Sequence, residues 1–175
     1  MHGKIRKIML ISLFVSFEII LTRFLSVESP IVRISFEFIP IALSAILFGP
    51  AAAGGAAAAA DVLGMLIFPK GAFFPGFTIS AFISGFLYGA ILYKKQITLW
   101  RVFIAVLSVN VACSLTLNTI WLVIFFHNGA YATLIARLMK CAVFLPVQTL
   151  MIYFIWRYVG SFIKGTFNNT LGSNT

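Results

Sequence analysis

The side chains able to do chemistry in this sequence fall at helical spacing. Asn110, Ser114, Asn118 and Trp121 share one helix face, Arg137, Lys140, Phe144 and Gln148 another, and Gly54, Ala58, Asp61, Met65 and Phe68 a third. Amides and a carboxylate pair with ring nitrogens and amino groups. Trp121, Phe73, Phe74 and Phe77 offer stacking faces, and Arg137 and Lys140 suit carboxylates. Together they fit a ligand with a flat heteroaromatic head and an anionic tail. The competing use of such groups is hydrogen bonding between helices, worth about 0.6 kcal/mol per bond on average. Asn110 and Ser114 are assigned to that use, and Asn118 and Trp121, nearer the outer end, to the ligand. Asp61 is equally suited to an internal Arg or Lys. Catalysis finds no constellation. The histidines are His2 and His127, no His and carboxylate stand at metal-ligand spacing, and no Gly-Lys-Ser/Thr loop can cradle a phosphate. The expectation is a protein without enzymatic activity, cofactor or metal. A small membrane enzyme acting on amphiphilic substrates would have to use Asp61 and Glu37 as its acids.

The elements that position these groups must lie in lipid. Hydrophobic residues make up 61% of the 175 and charged residues 10%, with a mean hydropathy of +1.05. A soluble domain of this size needs more polar surface. At about 20 apolar residues per span there is room for about six helices. Breaks at Ser26–Pro30, Gly49–Pro50, Pro69–Gly71, Lys94–Gln96 and His127–Gly129 place them near residues 8–25, 34–48, 51–68, 75–93, 101–126 and 131–162. This predicts an all-α membrane protein with six transmembrane helices, a binding domain over 1–165 and a polar tail without fixed structure over 166–175. The basic N-terminus and the apolar run behind it read as a retained first helix. Cys113 and Cys141 lie in apolar stretches and read as buried free thiols.

The formal charge of +9 belongs to topology rather than to nucleic acid, because the bases do not gather on one polar face. With both termini cytoplasmic, Lys4, Arg6, Lys7, Lys94, Lys95, Arg101, Arg157 and Lys164 fall inside, as the positive-inside rule favours. Five more bases, Arg23, Arg33, Lys70, Arg137 and Lys140, fall at outer helix ends. Each one singly suits snorkelling to lipid headgroups, and the five together favour a cationic basin open to the outside. The segment Phe68–Phe77 combines Gly and Pro breaks with aromatics and suits either a lid or an interfacial turn. On the first helix Ser12 and Ser16 make a small-xxx-small pair able to dock another membrane protein.

Several pieces of the chain carry a resemblance. Arg33-Ile34-Ser35-Phe36-Glu37-Phe38-Ile39-Pro40, Leu47-Phe48-Gly49-Pro50, Ala60-Asp61-Val62-Leu63-Gly64 and Phe73-Phe74-Pro75-Gly76-Phe77-Thr78 resemble the substrate-binding S components of energy-coupling factor (ECF) transporters, nearest to the folate-specific branch. The resemblance implies a multi-pass protein of the cell membrane of a Gram-positive bacterium. Such a protein captures folate outside and delivers it with a separate module of one transmembrane coupling protein and two ATPases. Pantothenate, hydroxymethylpyrimidine and queuosine-precursor carriers are the alternatives within the group. It also implies that Ser12 and Ser16 occupy the docking positions where relatives often carry alanine.

Overall fold

A computed structural model describes residues 2–28, 33–69, 74–126 and 130–171. Six helical rods follow one another: α1 (His2–Arg23), α2 (Phe38–Phe48), α3 (Pro50–Ile67), α4 (Pro75–Leu92), a composite fifth rod and α7 (Ala130–Leu171). The fifth rod is α5 (Leu99–Val109), a π-helical stretch (Asn110–Leu117) and α6 (Asn118–Phe126). Among the described residues, four rods are long and apolar enough to cross a membrane, over Pro50–Ile67, Pro75–Leu92, Leu99–Trp121 and Arg137–Tyr158; α2 is apolar but shorter. The six-helix expectation holds, with shifts at the edges. The second helix begins at Phe38 rather than near residue 34, because Arg33–Ile34 (β2) pairs antiparallel with Val27–Glu28 (β1). That ladder claims the backbone groups a longer helix would use. Where composition favours an unstructured tail, α7 continues to Leu171; residues 172–175 lie outside the described part.

Local chemistry explains the rod ends. Pro50 and Pro75 stand in the first turns of α3 and α4, where a missing N–H costs nothing. Gly49 separates α2 from α3 at φ +90°, a conformation open to glycine, and a β-carbon there would lie 3.3 Å from the Tyr93 ring. The alanine run of α3 combines high helix propensity with a small profile. Its partner α4 answers with Gly85 and Gly89 four residues apart. A β-carbon at Gly85 would lie 2.6 Å from the Ala53 carbonyl oxygen, and one at Gly89 2.3 Å from the Pro50 α-carbon. The two backbones therefore touch, and dispersion between them replaces the hydrophobic drive that lipid removes.

Packing divides the bundle along its length. Ala53 and Ala57 of α3, Tyr88 and Leu92 of α4, Val102 and Val106 of α5, and Ile152 of α7 join α2 residues in one buried apolar cluster. Apart from α2, these come from the start of α3, the end of α4, the start of α5 and the later part of α7. The opposite ends of the same rods carry the polar groups. Exposed Ile, Leu, Phe and Val side chains cover the outside of the rods, as a lipid-facing surface requires.

Candidate functional site

The polar end is organised around the first turns of α4. Thr78 and Ser80 are two residues apart, about 200° around a helix, and so face opposite neighbours. The Thr78 hydroxyl donates to Asp61 Oδ2 on α3 at 2.7 Å. On the other side the Trp121 indole N–H of α6 donates to Ser80 Oγ at 3.3 Å, and the Ser80 hydroxyl donates to the Gly76 carbonyl at 3.1 Å. Phe74 lies 5.4 Å from Trp121 and 5.9 Å from Phe77 between ring centroids. Gly76 makes this possible: a β-carbon there would stand 2.3 Å from the Phe74 ring and 2.8 Å from the Trp121 indole. A carboxylate, an indole and two phenyl rings are thus gathered by one helix start.

Across α6 lies the cationic part. Arg137 of α7 is only 9% exposed, and its Nη1 donates to the Ser114 carbonyl at 2.7 Å. Among the described residues, Arg137 Nε and the side-chain acceptor Asn118 Oδ1 are each buried without a hydrogen-bond partner. The π-helical stretch explains how the Ser114 carbonyl serves a side chain on another helix. Its wider turns re-aim backbone carbonyls, and the hydroxyls of Thr116 and Thr119 reach five residues back to the carbonyls of Val111 and Ser114 at 2.8 and 3.3 Å. The buried donor on Arg137 and the buried acceptor on Asn118 are each left for a ligand group to meet. Leaving both unmet in a low-dielectric interior is costly.

The remaining expected positions are distributed as follows. Arg23 is buried at the end of α1, its guanidinium laid over Gly64, where a β-carbon would stand 2.9 Å from Nε. Glu37 is half-buried at the start of α2, within electrostatic reach of Tyr88. Lys140 is half-buried on α7, one turn from Arg137, and interacts within the protein. Gln148 accepts a 3.0 Å bond from Asn110 Nδ2, deeper in the bundle than the α4 cluster. Arg33 stands on β2 opposite Glu28 in the backbone ladder. Lys70 and Phe73 lie outside the described residues. Ser12 and Ser16 are exposed on α1 and donate to the carbonyls of Ile8 and Ser12, both at 3.0 Å, which keeps that face small and internally satisfied. Thr78, Ser80, Gly76 and the π-helical stretch did not figure among the expected site residues. The Gly76–Ser80 segment does carry a signal, because a glycine and two hydroxyls follow directly on the aromatics at a helix start.

With this geometry in place, comparison with known proteins fixes the class. Residues 6–171 match the family model described as ECF transporter, substrate-specific component, and the chain belongs to that family. It is 44% identical to a protein named folate transporter FolT from Clostridium novyi, over 89% of this chain and 91% of that protein. A second protein of that name, from Leuconostoc mesenteroides, is 33% identical over 86% and 84% of the two chains. A crystal structure of FolT bound with folic acid superposes with a TM-score of 0.81 at 39% identity, covering 85% of this chain and 90% of the other.

Proposed function

We propose that this chain is the folate-capturing S component of an ECF importer in the cell membrane of a Gram-positive bacterium. Both termini lie in the cytoplasm and the polar end of the bundle faces outside. The carrying observation is the buried Arg137 guanidinium, its Nε without a partner among the described residues, at the same end as Asn118, Asp61, Phe74, Phe77 and Trp121. An ionisable side chain buried within membrane spans is by default a pointer to a functional site. Folic acid offers a flat ring with adjacent donors and acceptors together with carboxylates, the groups this end can satisfy. The names of the similar proteins narrow the class to folate. The ligand contacts are assigned to Arg23, Arg33, Glu37, Asp61, Lys70, Phe73, Phe74, Phe77, Asn118, Trp121, Arg137, Lys140 and Gln148. Since the sequence has no phosphate-cradling loop, energy comes from a separate module of a transmembrane coupling protein and two ATPases. The exposed Ser12–Ser16 face of α1 is the docking surface for it.

Uptake of radiolabelled folic acid by a host lacking its own folate carrier tests this reading. Cells expressing the chain with an ECF module should accumulate label, unlabelled folate should compete, and cells lacking either part should stay at background. Accumulation that is equal without the module would remove the ECF assignment.

A further inference from the structure

Resting on the folate reading, we propose that Thr78 is a positioning residue that sets ligand selectivity by fixing the Asp61 carboxylate. Asp61 sits on α3 in a helix otherwise made of small and apolar residues, where no other side chain of its own helix can hold it. Among the described residues its hydrogen bond comes from the neighbouring helix: the Thr78 hydroxyl donates to Oδ2 at 2.7 Å. A bond this short to a carboxylate is charge-assisted and directional, so it fixes the rotation of the group as well as its place. It engages one oxygen and leaves Oδ1, which makes no hydrogen bond among the described residues, for a ligand N–H. Thr divides between two χ1 rotamers within a helix, and the one taken here aims the hydroxyl at Asp61. Because Ser80 binds the Trp121 indole from the opposite side of the same helix, α4 fixes the separation between carboxylate and indole. A ligand edge that meets Oδ1 is then held in one direction relative to α4. The selected feature is an amino or ring N–H group at that edge.

Four variants of the full chain, titrated in detergent with folic acid and with its 2-desamino analogue, decide the matter. Thr78→Val removes the hydroxyl at nearly constant shape and should weaken folic acid about tenfold, with much less effect on the analogue. Thr78→Ser keeps the hydroxyl and should restore affinity to within about threefold of the parent. Asp61→Asn should weaken folic acid by itself, and adding Thr78→Val to it should cost little more, since the two residues act as one unit. Melting temperatures of the unliganded variants separate lost binding from lost folding. The proposal is overturned if Thr78→Val binds folic acid like the parent, or if its loss is undiminished on the Asp61→Asn background. It is also overturned if Asp61→Asn binds like the parent. Failure of the parent to bind folic acid at all is a different result and removes the folate reading itself.

Discussion

Arg137→Met should weaken folic acid binding about a hundredfold while leaving the melting temperature of the unliganded protein unchanged or higher. Those two changes have opposite signs for one physical reason. A guanidinium that is 9% exposed, with Nε lacking a partner among the described residues, carries a desolvation cost that its single bond to the Ser114 carbonyl offsets only in part. Exchanging it for an apolar side chain of similar length relieves that cost in the empty protein. The Ser114 carbonyl keeps the Thr119 hydroxyl at 3.3 Å. In the complex the same exchange removes a charge-assisted donor, for which about 1.5–3 kcal/mol is usual. Lysine should not rescue it, since a fork that binds the Ser114 carbonyl through Nη1 and leaves Nε for the proposed ligand is specific to arginine. Fluorescence titration and thermal unfolding of the purified variants check both signs. A Met variant that melts much lower and binds normally would make Arg137 a structural residue.

Gly89→Ala should be the most damaging single methyl group in the bundle. Its β-carbon would come to 2.3 Å from the Pro50 α-carbon, 2.5 Å from the Pro50 nitrogen and 3.0 Å from the Gly49 carbonyl carbon. All three are backbone atoms at a turn whose φ of +90° already restricts it, so no rotamer change makes room. Forcing the α3 and α4 backbones apart should cost about 3 kcal/mol, the upper end of ordinary overpacking, and lower the yield of folded protein. Gly55→Ala is the matched control. Nothing lies within 4 Å of its added carbon, so only helix propensity changes, by about 0.5–1 kcal/mol in the stabilising direction. Thermal unfolding in one detergent compares the two directly. Equal melting temperatures would show that the α3–α4 contact is looser than described.

The sequence showed the rods because their signals are local. Apolar runs of spanning length, Pro50 and Pro75 at helix starts, and Gly49 between two helices each act within a few residues. The closeness of α3 and α4 was also readable, since Gly85 and Gly89 stand at the spacing that lets backbones meet and the facing helix carries a run of alanines. The site was readable as residue types and not as pairings. Helical spacing put Asn110, Ser114, Asn118 and Trp121 on one stripe, but the turns of Asn110–Leu117 are π-helical, and a wider turn changes which residues share a face. No residue pattern announces that change. Asp61 was visible as a lone acid, whereas its partner Thr78 is seventeen residues away on the next helix and becomes a neighbour only through the α3–α4 packing. Arg23 counted as an outer base on position alone; that it turns inward over Gly64 depends on a missing side chain on another helix.

Isothermal titration of the purified full chain in detergent with folic acid, and in parallel with pantothenate, hydroxymethylpyrimidine and a queuosine precursor, bears most directly on what this protein carries. Saturable binding of one folic acid per chain is expected, accompanied by a rise in melting temperature that the other three do not produce. No heat and no thermal shift with folic acid, with saturation by one of the others, would contradict the account.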